Sequence, residues 1–431
     1  MYFKLMIGCF CEYNEDIAKA LTFEINRDIG RKKRPPEIIK LFKIIGRKMV
    51  IPRFFAPHEI KSEMSYAPID HEININLSKN QQVIYTAALQ KLEEEGGCTL
   101  VVKTGEGKTY IAAALIKQIA GRTLVVVHNA EILDYWVKIL PATKFYSGER
   151  FKSVLTIGLI NTLLKQPREW FAEFDFIVFD EITEFVSEIR REIFWHAPKF
   201  ILGLTATPEI KGIKHKIFTF HAGPILRAAD LKDYNATQID WRVKIEIIKY
   251  YGDPEYTQAL CSRIGYISAI AMSQQFAADP VRTKLITDRI AELIAAGKNI
   301  FVFCITCDFA KKLFNLCSLV EPRKAVLMGR EKTAEMEEII EKSQVIYTTY
   351  SFCSKGISII KMDALVLAQP RKSDSVQTFG RILRIGGDTT RERIIIDIVD
   401  AATSIKSQYY VRKKVYDELF SNAERKIKII R

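Results

Sequence analysis

The sequence predicts an α/β protein of two tandem lobes, each a parallel sheet flanked by helices, preceded by a small N-terminal α/β accessory module. Three observations carry this reading. Short continuous apolar runs alternate with helix-like stretches from Leu77 onward, the pattern of strands buried on both faces. The alternation restarts after about residue 240. A chain of 431 residues also has enough apolar content, 48%, for more than one core.

The elements follow in chain order. Met1–Cys11 is apolar but contains Lys4, is soon followed by Glu12, Glu15 and Asp16, and lacks a small-residue cleavage site. It reads as one or two strands and not as a leader. Pro35-Pro36 breaks the chain after a basic run, and β-branched stretches surround Ile44-Ile45 and Met49–Ile51. Residues 1–75 are therefore expected to form the accessory module, with His71–Leu77 as a linker strand. In the first lobe, residues 76–228, strands are expected at Cys98–Val102, Thr123–Val127, Phe176–Phe179 and Ile201–Leu204, with a helix over Tyr110–Ala120. In the second, residues 229–405, strands are expected at Ile300–Ile305, Ala325–Met328, Val345–Thr348, Ala364–Ala368 and Ile394–Val399. Helices are expected there over Lys284–Ala296 and Phe309–Leu316. Residues 406–431 read as a basic helix or tail. No apolar run is long enough to span a bilayer.

The formal charge of +13 favours a polyanionic partner. Arg31, Lys32, Lys33 and Arg34 form one cluster; Arg412, Lys413, Lys414, Arg425, Lys426, Lys428 and Arg431 form another. A solvated face is the alternative for each. The eight cysteines are scattered, and Cys304-Ile305-Thr306-Cys307 has no second pair at zinc spacing. Buried thiols in a reducing, cytoplasmic setting (host cytoplasm for a viral chain) are expected, not metal or redox chemistry.

Three motifs carry chemistry. Val102-Lys103-Thr104-Gly105-Glu106-Gly107-Lys108-Thr109 follows a strand and opens a helix. Glycines there let backbone N–H groups converge on phosphate oxygens, and the helix N-terminus adds partial positive charge. Lys108 suits the β- and γ-phosphates, and Thr109 suits Mg²⁺. Val102 stands where a strict phosphate-loop pattern has glycine. Second, Phe176–Phe179 delivers Asp180 and Glu181 at a strand end. Asp180 suits Mg²⁺ and Glu181 an attacking water. Thr205-Ala206-Thr207 follows at another strand end. Third, Gln377-Thr378-Phe379-Gly380-Arg381-Ile382-Leu383-Arg384 places two guanidinium groups on one face if helical, suited to charge shifting on a γ-phosphate.

In this order the motifs resemble the series of superfamily 2 helicases, over roughly residues 77–400. Gln81 is similar to the adenine-reading glutamine, Thr104–Thr109 to motif I, Leu124–Trp136 to motif Ia with His128 at a usual proline, and Asp180-Glu181-Ile182-Thr183 to motif II with Thr183 for histidine. Thr205–Thr207 resembles motif III. Thr349–Ser358 resembles motif V, with Ser358 for aspartate, and Gln377–Arg384 resembles motif VI. Lys165–Phe171 and Gly356–Ile359 look like phage branch-migration helicases of the UvsW type, and Val50–Phe54 like these and the XPB-like group. The resemblance implies two RecA-like lobes with ATP and Mg²⁺ between them. Gln81, Thr104, Gly105, Glu106, Gly107, Lys108 and Thr109 would bind nucleotide, Thr109 and Asp180 the metal. Lys108, Asp180, Glu181, Gln377, Arg381 and Arg384 would be catalytic. It also implies a strand gripped through its phosphates near Asn129, Asn161 and Thr349, with Arg31–Arg34 on duplex arms.

The function expected is ATP-dependent unwinding or translocation on single-stranded, forked or branched DNA, by a monomeric or weakly associating chain. An RNA-stimulated ATPase is the alternative within the class. A nucleotide-gated scaffold that does not unwind is another, for which Val102, Thr183 and Ser358 speak and the intact charged residues do not. A small-molecule phosphate-loop kinase would have no role for a second lobe.

Overall fold

The computed structural model describes residues 9–25, 35–55, 68–103, 105–196, 198–208, 213–234, 242–261, 267–328, 333–350, 361–369, 371, 379, 390–420 and 422–431. Arg31, Lys32, Lys33, Arg34, Thr104, Gln377, Arg381 and Arg384 lie outside the described residues. The chain divides into two compact units, Met1–Thr237 and Gln238–Arg431.

The first unit opens with β1 (Cys9–Glu12), α1 (Glu15–Ala20), β2 (Thr22–Ile25), β3 (Glu37–Lys40), β4 (Lys43–Ile45) and β5 (Lys48–Ile51). They make an antiparallel sheet β1-β5-β4 and a separate β2-β3 pair. Next come α2 (Lys79–Glu95), β6 (Gly97–Val101), α3 (Lys108–Ile119), β7 (Thr123–Val127), α4 (Ala130–Ile139), β8 (Thr143–Phe145), β9 (Leu155–Leu159), β10 (Phe176–Asp180), β11 (Phe200–Thr205) and β12 (Ile225–Arg227). The strands β6 to β12 form one parallel sheet in the order β12-β6-β11-β10-β7-β9-β8.

Strand alternation sorts this sheet's side chains onto two cores. Val125, Val127, Phe176, Val178 and Leu202 face the core roofed by α2, α3 and α4. Leu124, Val126, Ile177, Phe179 and Ile201 face the other. That second core also contains Leu21, Ile39, Leu41, Met49 and Ile51 of the N-terminal module. The module thus covers one face of the sheet. Arg53 fastens the join, donating to the carbonyls of Pro198 and Lys199 at 2.8 Å each. Phe54 N–H donates to Phe220 O at 2.8 Å.

The expected linker strand at His71–Leu77 is not a strand. Glu72 has φ of 51°, a left-handed value that interrupts extended backbone. The segment is instead tied down by buried Ile73 and by a 2.8 Å contact of His71 Nε2 with Gly121 O.

The second unit is built on β13 (Val243–Tyr250), β14 (Ile300–Cys304), β15 (Lys324–Leu327), β16 (Val345–Thr349), β17 (Ala364–Leu367), β18 (Arg393–Asp400) and β19 (Glu424–Ile430). All pair in parallel, in the order β15-β16-β14-β17-β18-β13-β19. Helices Ala269–Ala278, Pro280–Ala295, Cys307–Leu316, Thr333–Lys342 and Ser407–Leu419 accompany it. Two seven-stranded parallel sheets with flanking helices are two tandem RecA-like lobes. The segment expected as a basic helix or tail contains that helix but ends as β19, paired with β13 along seven residues. Its Arg412 is no part of a solvated face: it is 2% exposed and makes a two-pronged ion pair with fully buried Asp397.

Candidate active site

The site forms where parallel strands end, the usual place for ligands in such sheets. In the first unit β6, β11 and β10 are neighbours, so the turns after Val101, Thr205 and Asp180 lie side by side. The Gly-rich turn leaves β6 with Gly105 at φ of 91° and Gly107 at φ of 84°. Both values strain any residue with a Cβ. At Gly107 a Cβ would also run into the Gln81 amide. Gly107 is the N-cap of α3 and offers no capping side chain, which leaves the first N–H groups of the helix for an anion.

Gln81 braces this turn from α2. Its Oε1 accepts from Ser78 N at 2.9 Å in a capping box, and its Nε2 donates to Glu106 O at 3.1 Å. The Glu106 carboxylate accepts from the Tyr234 hydroxyl. Burial, then that bond, pushes the Tyr234 phenol above its ordinary range.

Lys108 Nζ stands 3.4 Å from Glu181 Oε1, and Thr205 Oγ1 lies 3.4 Å from Glu181 Oε2. Thr205 Oγ1 also accepts from Thr207 N at 3.1 Å. Glu181 itself sits at φ of 52°, so the chain turns sharply as it leaves β10. Asp180 is 7% exposed and accepts from the Trp136 indole at 2.8 Å. Burial and the adjacent Glu181 charge push its carboxyl up to about 6, against the pull of the indole bond and Lys108. A divalent cation at this position would hold Asp180 ionised, with the Thr109 hydroxyl in the first turn of α3 as a further oxygen donor. The residues present therefore fit a triphosphate with its metal: glycine-shaped N–H groups, one lysine, and a buried carboxylate within reach of that lysine's charge.

The fold thus gathers Gln81, Gly105, Glu106, Gly107, Lys108, Thr109, Asp180 and Glu181 at adjoining turns. Along the same sheet end, Asn129 caps α4, accepting from Ile132 N at 2.9 Å, and Asn161 is exposed just after β9. His128, beside it, is half-buried and pushed below its ordinary value by burial, against the pull of Glu184 and Glu181. Thr349 ends β16 in the second unit and is buried. Sequence reasoning did not single out Trp136 or Tyr234. Trp136 had a signal, as an aromatic at the end of the run Leu124–Trp136; Tyr234 had none.

A family described as "Type III restriction enzyme, res subunit" matches residues 74–210, a span that runs from before Gln81 to beyond Thr207. A putative ATP-dependent RNA helicase, QP509L of African swine fever virus (isolate Pig/Kenya/KEN-50/1950), is 29% identical over 371 residues, 78% of this chain and 71% of that protein. The ATP-dependent DNA helicase uvsW of Enterobacteria phage T4 is 24% identical over 357 residues, 74% of this chain and 68% of that protein. The chain is thus similar to superfamily 2 helicases. A solved structure of Dbp5 of S. cerevisiae bound to RNA and ADP BeF3 shares the fold of this helicase. Its TM-score is 0.54 at 13% identity, covering 82% of this chain and 94% of that one. Among the described residues, no helix of the helicase is long and apolar enough to cross a membrane.

Proposed function

We propose that this helicase hydrolyses ATP to travel along and remodel forked or branched DNA. The observation that carries the reading is the convergence of Lys108, Glu181, Thr205 and buried Asp180 on the neighbouring strand ends β6, β11 and β10. The Gly105–Gly107 backbone cradles the phosphates, and Gln81 contacts the adenine. Lys108 leaves Glu181 for the γ-phosphate, which frees the Glu181 carboxylate to take a proton from water as its oxygen attacks phosphorus and ADP departs. Thr109 and Asp180 would hold Mg²⁺, which when bound would neutralise phosphate charge. Gln377, Arg381 and Arg384 of the second unit complete the charge stabilisation. Asn129, Asn161 and Thr349 grip the strand through its backbone, and Arg31–Arg34 hold duplex arms.

The sequence likeness to the phage DNA helicase supports DNA, and the names of the viral relatives favour a second reading, an RNA-stimulated ATPase. The test is ATPase stimulation and unwinding on DNA forks, four-way junctions, RNA duplexes and RNA–DNA hybrids, with Lys108→Ala as control. Selective action on DNA forks and junctions is expected, with turnover abolished and DNA binding kept in the variant. Stimulation by RNA alone would replace the DNA reading. Undiminished turnover in Lys108→Ala would remove the site assignment.

A further inference from the structure

One acidic side chain stands inside the Gly-rich turn. Glu106 is half-buried and lies between the left-handed Gly105 and Gly107. Its carboxylate carries the same sign as the phosphates that the turn would receive, and like charges in a half-buried site repel more strongly than in open water. No lysine or arginine among the described residues pairs with this carboxylate; its donor is the Tyr234 hydroxyl, which bonds Glu106 Oε2.

Tyr234 comes from 128 residues further along the chain, and the order of the sheet brings it here. β12 runs parallel to β6 with Arg227 beside Val101, so the segments that leave the two strands start side by side. After β12, Ala228 is buried, Leu231 N donates to Ala228 O, and Tyr234 N donates to Leu231 O, each at 3.1 Å. Leu231 and Tyr234 both pack against the core roofed by α2, α3 and α4. The hydroxyl is therefore delivered from an anchored segment. The backbone of Glu106 is held by other groups: its carbonyl accepts from Gln81 Nε2 at 3.1 Å, and its N–H donates to Lys103 O at 3.3 Å. Tyr234 thus governs the direction of the carboxylate and leaves the course of the turn to Gln81 and Lys103.

We propose that Tyr234 is a positioning residue that holds the Glu106 carboxylate off the path of the entering triphosphate. It rests on the reading of Gly105–Lys108 as the phosphate cradle. Tyr234 needs no contact with the nucleotide for this. Without the hydroxyl the carboxylate loses its donor and is released to turn over the cradle, where its charge opposes the phosphates and competes with them for Lys108.

The test compares Tyr234→Phe, Glu106→Gln and the double variant with wild type in the full chain, with Lys108→Ala as the reference for the cradle. It reads kcat and KM for ATP, and binding of a fluorescent ATP analogue at about 0.05 M and about 0.5 M salt. A hydrogen bond to a charged group is worth about 10-fold to 100-fold. Part of that is expected in binding, so Tyr234→Phe should weaken the analogue and raise KM about fivefold or more at low salt, with kcat within about twofold. Screening should shrink the penalty to about twofold at high salt. In the Glu106→Gln background the same change should cost less than about twofold, because a neutral amide does not repel phosphate. Phenylalanine keeps the ring against the core, so a packing role alone leaves binding and KM at their wild-type values, and that result overturns the proposal. So does a penalty indifferent to salt, or one that persists in full beside Glu106→Gln. If the Glu106→Gln chains do not fold, the salt dependence of Tyr234→Phe decides. Undiminished turnover in Lys108→Ala sinks the cradle reading and this inference together; lost turnover there beside an unaltered Tyr234→Phe sinks this inference alone.

Discussion

Replacing Asp180 by asparagine should make the first unit more stable while ending its activity. Asp180 is enclosed, with the Trp136 indole donating to it and Glu181 next to it. Burial and the Glu181 charge raise its carboxyl from 3.8 to about 6 in the folded chain. The sign follows from linkage. A carboxyl raised on folding favours the folded state below its unfolded value, and that advantage is lost as pH climbs through the folded one. Between about pH 4 and pH 6 the wild-type unit therefore gives up about 3 kcal/mol. Asparagine keeps an oxygen for the indole and carries no charge at any pH. Asp180→Asn should thus gain about 3 kcal/mol at pH 8 in metal-free buffer and almost nothing below about pH 4. For a unit of this size the gain corresponds to a melting temperature higher by roughly 6–12 °C. Urea unfolding followed by tryptophan fluorescence reads it directly, since Trp136, Trp170 and Trp195 all lie in the first unit. Added Mg²⁺ with nucleotide should narrow the gap by stabilising the wild type alone. A variant less stable than wild type at pH 8, or a gain that does not vary with pH, would refute the reasoning.

Gly107→Ala should raise KM for ATP about 10-fold or more, because the left-handed turn costs about 1–2 kcal/mol and the new methyl displaces the Gln81 amide; titration with a fluorescent ATP analogue checks it. His196 and His221 are held neutral, each pushed down to about 3, mainly by burial and then by Arg168 and Lys43 for His196 and by Lys43 for His221. The unfolded chain takes up these protons first, so the first unit should lose stability as pH falls from about 6.5 towards 3, by about 1.4 kcal/mol per pH unit for each histidine. His196→Phe, which keeps a ring stacked on Phe171, should flatten that acid slope by about half in pH-dependent urea titrations. Removing residues 1–70 should yield an insoluble chain, since Leu21, Ile39, Leu41, Met49 and Ile51 belong to the first unit's core and losing them forfeits roughly 10 kcal/mol. Changing Arg31, Lys32, Lys33 and Arg34 to glutamine should lower the salt slope of fork binding by up to about 4. Fluorescence anisotropy on forks between low and moderate salt reads the outcome.

The sequence by itself determined nine of the fourteen strands in the two large sheets, to within a residue or two, and most residues of the Gly-rich turn. Thr123–Val127 and Phe176–Phe179 were legible because strands buried on both faces must be continuously apolar. Gly105, Gly107 and Lys108 were legible because a turn of that conformation tolerates little else. Strands β9 and β13 were not among them, nor were the three-residue β8 and β12 and the edge strand β19, since three residues, or a run rich in lysine, carry no distinct pattern. Only the tertiary structure decided that β11 pairs between β6 and β10, which sets Thr205 against Glu181 although 24 residues separate them. It alone placed the N-terminal module on the sheet, the Trp136 indole on Asp180, Tyr234 on Glu106, and Arg412 in the core and not in solvent. Local pattern reports how deeply a segment is buried and which turn it makes. The choice of partner among strands of nearly equal apolarity is settled by packing all of them at once, and no stretch of chain encodes that choice alone.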